Sequence, residues 1–295
     1  MNQVSAASIV ILCRNRSFLL QKCLQKLVLQ LKDNDRVVIV NNGSTPKETE
    51  KIKQVISCFK NKNLQLVWGD KNGNIPNGRN KGIAIASKKS QIIAFLDDDC
   101  LPNKNWLKNI RKEHQAYHEW QVIQGKVISI PKNNLYARIT GITYQNWLRS
   151  NLLNKNLLAT FDSKNASFKA KIFRLGLLFN EKFGRSSDIE LGLRLRKKGF
   201  KIGYSPKIKA YHRERTTLIS FLKQHINIAK GERGIELVGL FPSRYKYHFF
   251  LFRRLACQLF KERKFLSLSL FLLLIPLILI LRMAVFLSRP LLYKS

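Results

Sequence analysis

Three consecutive carboxylates, Asp97 to Asp99, directly follow the apolar run 91–96. Side chains alternate along an extended chain, so Asp97 and Asp99 share one side and Asp98 points to the other. A continuous apolar run is typical of a strand buried on both faces of a parallel sheet, and ligands bind at the carboxyl ends of such strands. Two carboxylates on one side suit a hard divalent cation, Mn²⁺ or Mg²⁺, that also holds substrate phosphates. An acidic turn before Leu101 explains the same residues without a metal.

The segments around this acid triplet (Asp97, Asp98 and Asp99) alternate between strand-like and helix-like patterns, which predicts an α/β fold with a mixed, mainly parallel sheet flanked by helices. Apolar runs predict strands at residues 8–13, 37–40 and 64–68 before the run that leads to the triplet. Ser17 is predicted to cap the first helix, and Thr45 to open the second in a capping box.

The second half of the sequence has a less regular pattern. Residues 130–160 have mixed polarity and no clean period, which predicts loops. A helix is predicted from Ser187, because Ser187 and Glu190 match a capping box and Gly199 supplies a stop. A final strand is predicted at 201–211.

The composition points to an anionic partner. The 295 residues carry a formal net charge of +35, which favours an anionic membrane surface, nucleic acid or acidic small substrates. The basic residues are scattered and match no zinc-finger or basic-zipper pattern, so no specific nucleic acid is expected. Five cysteines without a C-x-x-C pair argue against a disulfide framework and a zinc site. The polar start of the chain is unlike a signal peptide, so the domain is expected to stay on the cytosolic side.

The end of the chain has a different character. Residues 265–288 are mostly apolar and are interrupted by only one charge and one proline, and about 20 such residues can span a bilayer. The basic flank is heavier before this stretch than after it, which places the preceding domain on the cytoplasmic side. The sequence therefore predicts a basic helical extension at 216–264 and a membrane-associated or transmembrane helix at 265–288. A buried C-terminal helix and a hairpin lying in the interface are the alternatives.

Five short motifs occur in a characteristic order along the first two thirds of the chain. They are residues 9–12 followed by 14–16; 38–44; 77–82; 95–99; and 187–191 followed by Arg194, Gly199 and His212. In this order and spacing, the chain resembles a family 2 glycosyltransferase of the GT-A fold, the nucleotide-diphospho-sugar transferase fold. The resemblance covers residues 6–215, which sets the expected catalytic domain at 1–215.

The resemblance implies a nucleotide-sugar site built from the loops after the early strands. Asn41 matches a position that an aspartate usually holds to bind the base or ribose, and an amide keeps an acceptor there while losing the charge. A simple turn at Asn41 and Asn42 is the alternative reading. Arg79 and Asn80 would bind the diphosphate or sugar hydroxyls, although a solvated arginine on a helix is an open alternative. The full implied nucleotide- and sugar-binding set is Arg14, Asn15, Asn41, Asn42, Arg79, Asn80, Asp97 and Asp98.

The resemblance also implies a metal site and a general base. Asp97 and Asp99 match the D-x-D motif of the family, with Asp99 the expected direct ligand, and His212 matches a position where some relatives place a histidine near the metal. Asp188 falls where the family places its catalytic aspartate, which takes the proton of the acceptor hydroxyl. The family often has a glutamate directly before this aspartate, and Ser187 stands there instead. A helix-dipole role for Asp188 is the alternative.

These observations predict a metal-dependent inverting glycosyltransferase at the cytoplasmic face of the cell membrane. It would move a sugar from a nucleotide-diphosphate donor to a lipid-linked or cell-envelope glycan acceptor, with loops in 130–160 facing that acceptor. One alternative is a nucleotidyltransferase of similar fold, although no glycine-rich phosphate loop follows the first strand. The other is a non-catalytic basic adaptor for membrane or nucleic acid, in which Ser187 and Asn41 mark a decayed site.

Overall fold

The computed structural model describes residues 6–59, 63–88 and 90–237, together with a few single positions after residue 252. The described residues fall into two compact units. The first unit contains the residues up to Ile128 together with Leu153–His212. The second contains Ser129–Leu152 and the described residues from Arg213 onward. The predicted divisions at residues 215 and 264 remain predictions.

The described residues form eight strands and eight α-helices. The strands are β1 (Ala7–Cys13), β2 (Arg36–Asn41), β3 (Leu64–Trp68), β4 (Ile92–Leu96), β5 (Cys100–Pro102), β6 (Trp120–Ile130), β7 (Asn165–Lys169) and β8 (Lys201–Arg213). The helices are α1 (Ser17–Leu27), α2 (Pro46–Ser57), α3 (Ile75–Ala86), α4 (Trp106–Ala116), α5 (Leu135–Asn151), α6 (Lys171–Arg174), α7 (Ser187–Lys197) and α8 (Leu218–Leu237). The strands predicted before the triplet are thus confirmed to within a few residues.

One mixed sheet has the strand order β3-β2-β1-β4-β7-β6-β8-β5. Its first four strands are parallel, and all five residues of β4 are buried, as expected for a strand covered on both faces. The other half is antiparallel in the pairings of β4 with β7, β6 with β7 and β5 with β8. The prediction of a mainly parallel sheet is therefore correct only for the first half. The apolar pattern of these strands does not show whether they pair parallel or antiparallel.

Helix ends near the triplet are held by long-range contacts as well as by local caps. Thr45 accepts a hydrogen bond from the backbone N–H of Glu48, which confirms that half of the predicted capping box. The Glu48 carboxylate instead accepts hydrogen bonds from the backbone N–H and hydroxyl of Ser17, at 3.1 and 2.9 Å. Ser17 is thus the first residue of α1 rather than its cap, and Glu48 satisfies an N–H group at the start of that helix.

Helix α3 packs unusually close to the parallel strands. A Cβ atom added at Gly82 would collide with the side chain of Val10, and one added at Gly78 would lie 2.6 Å from the Asn42 amide oxygen. Only glycine fits at such an approach, because any larger side chain would push the helix away. The two glycines thereby fix the height of α3 over the sheet, and with it the position of Arg79.

The second unit contains α5 and α8. Residues 135–151, predicted as loops, form the 17-residue helix α5, a correction with a clear cause: its buried face includes Asn146 among apolar residues, so no regular apolar stripe is visible. Within this unit, Tyr136 of α5 contacts Phe221 of α8. Among the described residues, no helix is both long and apolar enough to cross a membrane. The predicted helix at 265–288 lies outside the described residues.

Candidate active site

The acid triplet forms a tight turn between β4 and β5. The backbone N–H of Cys100 donates to the carbonyl of Asp97 at 3.0 Å, and the backbone N–H of Asp97 donates to the carbonyl of Lys164 at 3.4 Å. The side chains of Asp98 and Asp99 are almost fully buried. Because isolated carboxylates are costly to bury, the structure must supply compensating charge nearby.

Arg16, just before α1, supplies part of that charge. One terminal nitrogen of its guanidinium donates to the Asp98 carboxylate at 3.1 Å and to the Asp99 carboxylate at 2.8 Å. These two contacts join the loop after β1 to the turn after β4. Arg16 belongs to a sequence motif, but its role could not be predicted, because a contact between residues so far apart in the chain leaves no local pattern.

His212 reaches the triplet through the pairing of two antiparallel strands. Cys100 of β5 lies opposite His212 of β8, and the His212 Nε2 atom is 3.3 Å from an oxygen of Asp99. Two ligands that each lie about 2.1 Å from one ion are about 3 Å apart when the angle between them is near 90°. The Asp99 oxygen and the His212 nitrogen therefore have a spacing that fits a shared divalent cation.

Cys100 is the third potential ligand in this group. Its sulfur, an Asp99 oxygen and a His212 nitrogen all lie within 4.8 Å of one another. Burial raises the pKa of the Cys100 thiol well above its usual value, and the charges of Asp97 and Asp99 raise it further. A protonated thiol is a poor ligand, and sulfur is too soft a donor to be preferred by Mg²⁺ or Mn²⁺. The donors that fit such an ion are the carboxylate oxygen and the imidazole nitrogen.

Burial also raises the pKa values of two triplet carboxyls, Asp97 and Asp98. The pKa of Asp98 rises to about 7, chiefly through burial, while the Arg16 guanidinium opposes the rise and Asp99 adds to it. The pKa of Asp97 is raised by burial and by the Asp99 charge, and Arg79 acts in the opposite direction. With raised pKa values, the carboxyls of this cluster ionise completely only when more positive charge is present. The cluster is therefore suited to bind a cation.

Asp188 lies in the first turn of α7, almost fully buried. One oxygen accepts hydrogen bonds from the backbone N–H and the hydroxyl of Ser163, at 3.3 and 3.1 Å, and the other accepts from the backbone N–H of Ile189 at 2.9 Å. Burial raises the pKa of Asp188, while the positive charge of Arg79 lowers it and Asp162 raises it. We call Asp188, Ser163 and Arg79 the base centre.

The predicted capping box of α7 is wrong. No side chain caps this helix, and its N-cap residue is Ser186. Glu190 instead forms an ion pair with Arg194 one turn later, at 2.7 Å. The Ser187 hydroxyl accepts a hydrogen bond from Arg79 at 3.4 Å. Ser187 therefore helps to place the arginine that faces Asp188.

Arg79 is buried between the two carboxylate groups of the site. Its guanidinium lies over the ring of Phe179, 5.2 Å from the ring centre. Its charge lowers the pKa of both Asp97 and Asp188, so it acts on the triplet and on the base centre at once. The alternative of a solvated helix arginine is wrong, since Arg79 is 8% exposed.

The side-chain amides of Asn41 and Asn42 each donate one hydrogen bond and accept one within the protein. The Asn41 oxygen accepts from the backbone N–H of Ser44 at 3.1 Å, and its nitrogen donates to Thr49 at 2.9 Å. Asn42 donates to the carbonyl of Asn74 and accepts from the backbone N–H of Asp70. The turn reading thus describes what Asn41 does here, and its predicted contact with a nucleoside stays a prediction.

Arg14 and Asn15 organise the same loops. The Arg14 guanidinium donates to the carbonyls of Gly43 and Asn72, at 3.2 and 3.1 Å. Asn15 adopts a left-handed conformation with φ of 55°, and its amide oxygen accepts from the backbone N–H of Thr45 at 2.8 Å. Their predicted roles in nucleotide binding remain predictions.

Asn80 ties α3 to the segment after α6. Its amide donates to the carbonyl of Phe179 at 2.9 Å and accepts from the backbone N–H of the same residue at 3.0 Å. The structure therefore brings together Asp97, Asp98, Asp99, His212, Arg79 and Asp188, while Asn80 lies in a separate structural contact. Arg16 and Ser163 are the contributors that the sequence analysis missed.

Comparison with known proteins agrees with this architecture. The family model described as "Glycosyl transferase family 2" matches residues 8–178. The glycosyltransferase AglE of Haloferax volcanii is 33% identical over 103 residues, which are 34% of this chain and 33% of that protein. The chain therefore matches about a third of the length of this relative.

A second relative matches over more of its length. It is the dolichyl N-acetyl-alpha-D-glucosaminyl phosphate 3-beta-D-2,3-diacetamido-2,3-dideoxy-beta-D-glucuronosyltransferase of Methanococcus voltae. The identity is 24% over 265 residues, covering 84% of this chain and 80% of that protein.

Solved structures share the fold. A mannosyltransferase of Pyrobaculum calidifontis, solved with GDP-Man and Mn²⁺, has a TM-score of 0.61 at 16% identity over 96% of this chain and 74% of its own. GalNAc-T7, solved with UDP, GalNAc and Mn²⁺, has a TM-score of 0.59 at 13% identity, over 86% of this chain and 51% of its own. The S. aureus TarS fragment 1–349, solved with UDP-GlcNAc, has a TM-score of 0.53 at 16% identity, over 76% of this chain and 65% of its own. At these identities the likeness establishes the GT-A-like fold.

Proposed function

The chain belongs to glycosyl transferase family 2 and is a glycosyltransferase, and from that premise we propose that it works with a divalent metal and inverts the anomeric carbon of a nucleotide-diphosphate sugar. The observation that carries the proposal is the 3.3 Å approach of His212 to Asp99 beside two further carboxylates. Within the described residues, this group joins a hard oxygen donor set to an imidazole at the carboxyl end of a parallel strand, where α/β folds bind ligands.

Asp97, Asp99 and His212 are the residues that would hold the metal. When bound, Mn²⁺ or Mg²⁺ neutralises the negative charge on the departing nucleoside diphosphate. Support for this cofactor comes from the donor chemistry of the site and from the two solved structures of the same fold that contain Mn²⁺. Asp98 is bound to Arg16 and would contact the ribose or sugar rather than the ion.

Asp188 is the proposed general base. Its carboxylate takes the proton from the acceptor hydroxyl as that oxygen attacks the anomeric carbon, and the nucleoside diphosphate leaves from the opposite face. Arg79 favours the ionised form of Asp188, because the guanidinium opposes the rise in pKa that burial causes. A direct displacement of this kind inverts the configuration and needs no glycosyl-enzyme intermediate.

The proposed acceptor is a lipid-linked or cell-envelope glycan at the cytoplasmic face of the membrane. The name of the Methanococcus voltae relative specifies a dolichyl phosphate-linked sugar as its acceptor. The net charge of +35 would favour an anionic bilayer, and residues 265–288 would provide the attachment. Co-sedimentation of the full chain with anionic vesicles, and weaker co-sedimentation with neutral vesicles, is the expected result. Equal recovery in the supernatant with both would contradict the membrane proposal.

A titration tests the catalytic proposal. Calorimetry with GDP-mannose and UDP-N-acetylglucosamine, each with and without Mn²⁺, should show metal-dependent binding of at least one donor. Asp99→Asn should remove the metal dependence, whereas Asp35→Asn, which alters a buried aspartate paired with Arg111 elsewhere, should retain it. Salt-sensitive binding to nucleic acid with no nucleotide-sugar binding would instead support a basic adaptor.

A further inference from the structure

A three-residue turn before β7 connects the acid triplet to the base centre. We call Asp162, Ser163 and Lys164 the bridge segment. The Asp162 carboxylate pairs with the Lys164 ammonium at 2.9 Å and accepts a hydrogen bond from the Lys164 backbone N–H, also at 2.9 Å. The backbone N–H of Asp162 donates to the side chain of Gln124, also at 2.9 Å. The segment is therefore held in one conformation by its own contacts and by β6.

The two ends of the connection are direct hydrogen bonds. The carbonyl of Lys164 accepts from the backbone N–H of Asp97 at 3.4 Å, which ties the segment to the triplet turn. On the other side, Ser163 donates from both its backbone and its hydroxyl to one oxygen of Asp188. Ser163 is 1% exposed, so its hydroxyl has no bulk water as an alternative partner.

We propose that Ser163 is a positioning residue for the general base: it fixes the carboxylate of Asp188 relative to the acid triplet and favours the ionised form. This inference rests on the proposed function of Asp188. Two hydrogen bonds to one oxygen limit rotation of the carboxylate, and they thereby fix the direction in which its other lone pairs point. A base held in this way stays at a fixed distance from the donor-sugar site, because the bridge segment is bonded to both.

The electrostatics of the pocket give the hydroxyl a second role. Asp188 interacts with the Arg79 charge from α3, the Asp162 carboxylate and the backbone N–H groups of Ser163 and Ile189, and it also accepts the hydrogen bond from the Ser163 hydroxyl. Burial and Asp162 favour the neutral acid, whereas Arg79 and the two backbone N–H groups favour the carboxylate. The hydroxyl donates to the same oxygen, so it too favours the ionised form. Loss of one donor to the ionised form must therefore move the balance toward the neutral acid, which cannot accept a proton.

The first test is the pH profile of Ser163→Ala. Turnover of GDP-mannose or UDP-N-acetylglucosamine, whichever the protein binds, should fall at neutral pH with KM for the donor unchanged. The acid limb of the profile should move to higher pH by about one unit, the scale of one hydrogen bond to a charged group. An acid limb identical to that of the wild type would overturn the inference.

Ser167→Ala is the matched control. Ser167 is also 1% exposed, and its hydroxyl contacts His114 at 3.0 Å and the carbonyl of Ile123 at 3.3 Å rather than Asp188. It should lose stability to a similar degree and keep the wild-type acid limb. A shift of the limb in both variants would show that general loosening, and not the contact with Asp188, moves the profile.

A second test needs no substrate. The thermal stability lost in Ser163→Ala should grow as the pH rises, because the hydroxyl stabilises the carboxylate and contributes less to the neutral acid. The same truncation in an Asp188→Asn background should lose this pH dependence. A loss that is equal at every pH in both backgrounds would contradict the inference.

The two proposals fail in distinguishable ways. If Asp188→Asn retains full turnover, the assignment of the base is wrong regardless of Ser163. If Asp188→Asn is inactive while Ser163→Ala keeps the wild-type pH profile, the base assignment stands and only the role of Ser163 is wrong.

Discussion

The acid triplet and the base centre are both buried carboxylate sites, yet they neutralise charge in opposite ways. The triplet gathers three carboxylates against the Arg16 guanidinium and the His212 imidazole. The base centre surrounds one carboxylate with neutral donors and with Arg79. The first arrangement leaves negative charge for a cation to neutralise, and the second holds a single charge that must gain and lose a proton. We therefore expect ion binding in the first region and proton transfer in the second.

The largest expected effect is a loss of turnover when the base centre is altered, with binding at the acid triplet unchanged. Asp188→Asn should lower kcat by about 10²- to 10⁴-fold, because an amide cannot accept the proton. Calorimetric binding of the donor with Mn²⁺ should be unchanged. Loss of donor binding in this variant would show that Asp188 belongs to the ion site and would remove the distinction.

Asp99→Asn should act in the other region, on binding. Removal of the charged ligand is expected to weaken Mn²⁺ binding by about 100-fold or more, since even partners behind metal ligands contribute about 10- to 100-fold. The check is a metal titration followed by calorimetry, with Asp35→Asn as the buried-aspartate control. Unchanged affinity for Mn²⁺ would show that Asp99 is not a ligand of the metal.

Removal of Arg16 should sharpen the role of charge in the triplet. Arg16→Ala removes the guanidinium that contacts Asp98 and Asp99, so the free energy of unfolding without metal should fall by about 1–3 kcal/mol, the scale of hydrogen bonds to charged groups. Urea denaturation measures this loss, and addition of Mn²⁺ should recover part of it. If Mn²⁺ stabilises the variant no more than it stabilises Asp99→Asn, the metal does not bind at the triplet.

Arg79 lies where the two regions meet, and its removal should raise two pKa values together. Arg79→Gln deletes the charge that lowers the pKa of Asp188, so the acid limb of the activity profile should move to higher pH by about one unit. Arg79→Lys keeps the charge and should retain most of the wild-type profile. A profile that moves equally in both variants would indicate a role for shape rather than charge.

The smallest effect is expected at Asp98. Because burial raises the pKa of Asp98 to about 7, the folded chain holds a proton there between about pH 4 and 7 that the unfolded chain has released. Stability therefore falls as the pH rises through that window. Asp98→Asn cannot ionise, so its stability should improve relative to the wild type as the pH rises from 5 to 7, and the difference should level off above pH 7. A constant difference from pH 5 to 8 would contradict the raised pKa.

The parts of this molecule that could be predicted from the sequence are those with local causes. Strands β1, β2 and β4 are continuous apolar runs because both faces are buried, and the left-handed glycine after α7, Gly199 with φ of 83°, marks its end as predicted. Helix α5 was missed because buried Asn146 interrupts its apolar face. The five motifs, in their order along the chain, were nevertheless enough to predict the GT-A-like fold and the family.

The contacts that complete the site were not accessible in the same way. Arg16 meets Asp98 from 82 positions away, and Ser163 meets Asp188 from 25. Neither pair has a spacing that a helix or strand period would reveal. Ser187 and Glu190 show the opposite problem, since their spacing suggested a local cap while their contacts are with Arg79 and Arg194. Sequence pattern identifies the carboxylates here, and tertiary contact decides what each one does.

The pairing of β5 with β8 has a consequence for how the site is assembled during synthesis. Cys100 and His212 meet only after the strand that carries His212 has left the ribosome, long after the triplet has been made. Arg16 precedes the triplet in the chain, so it is available to Asp98 and Asp99 as soon as β1 and β4 pair. During synthesis the Arg16 guanidinium is thus available to neutralise these carboxylates before His212 has been made, and the imidazole contact can form only after the chain has been extended to residue 212.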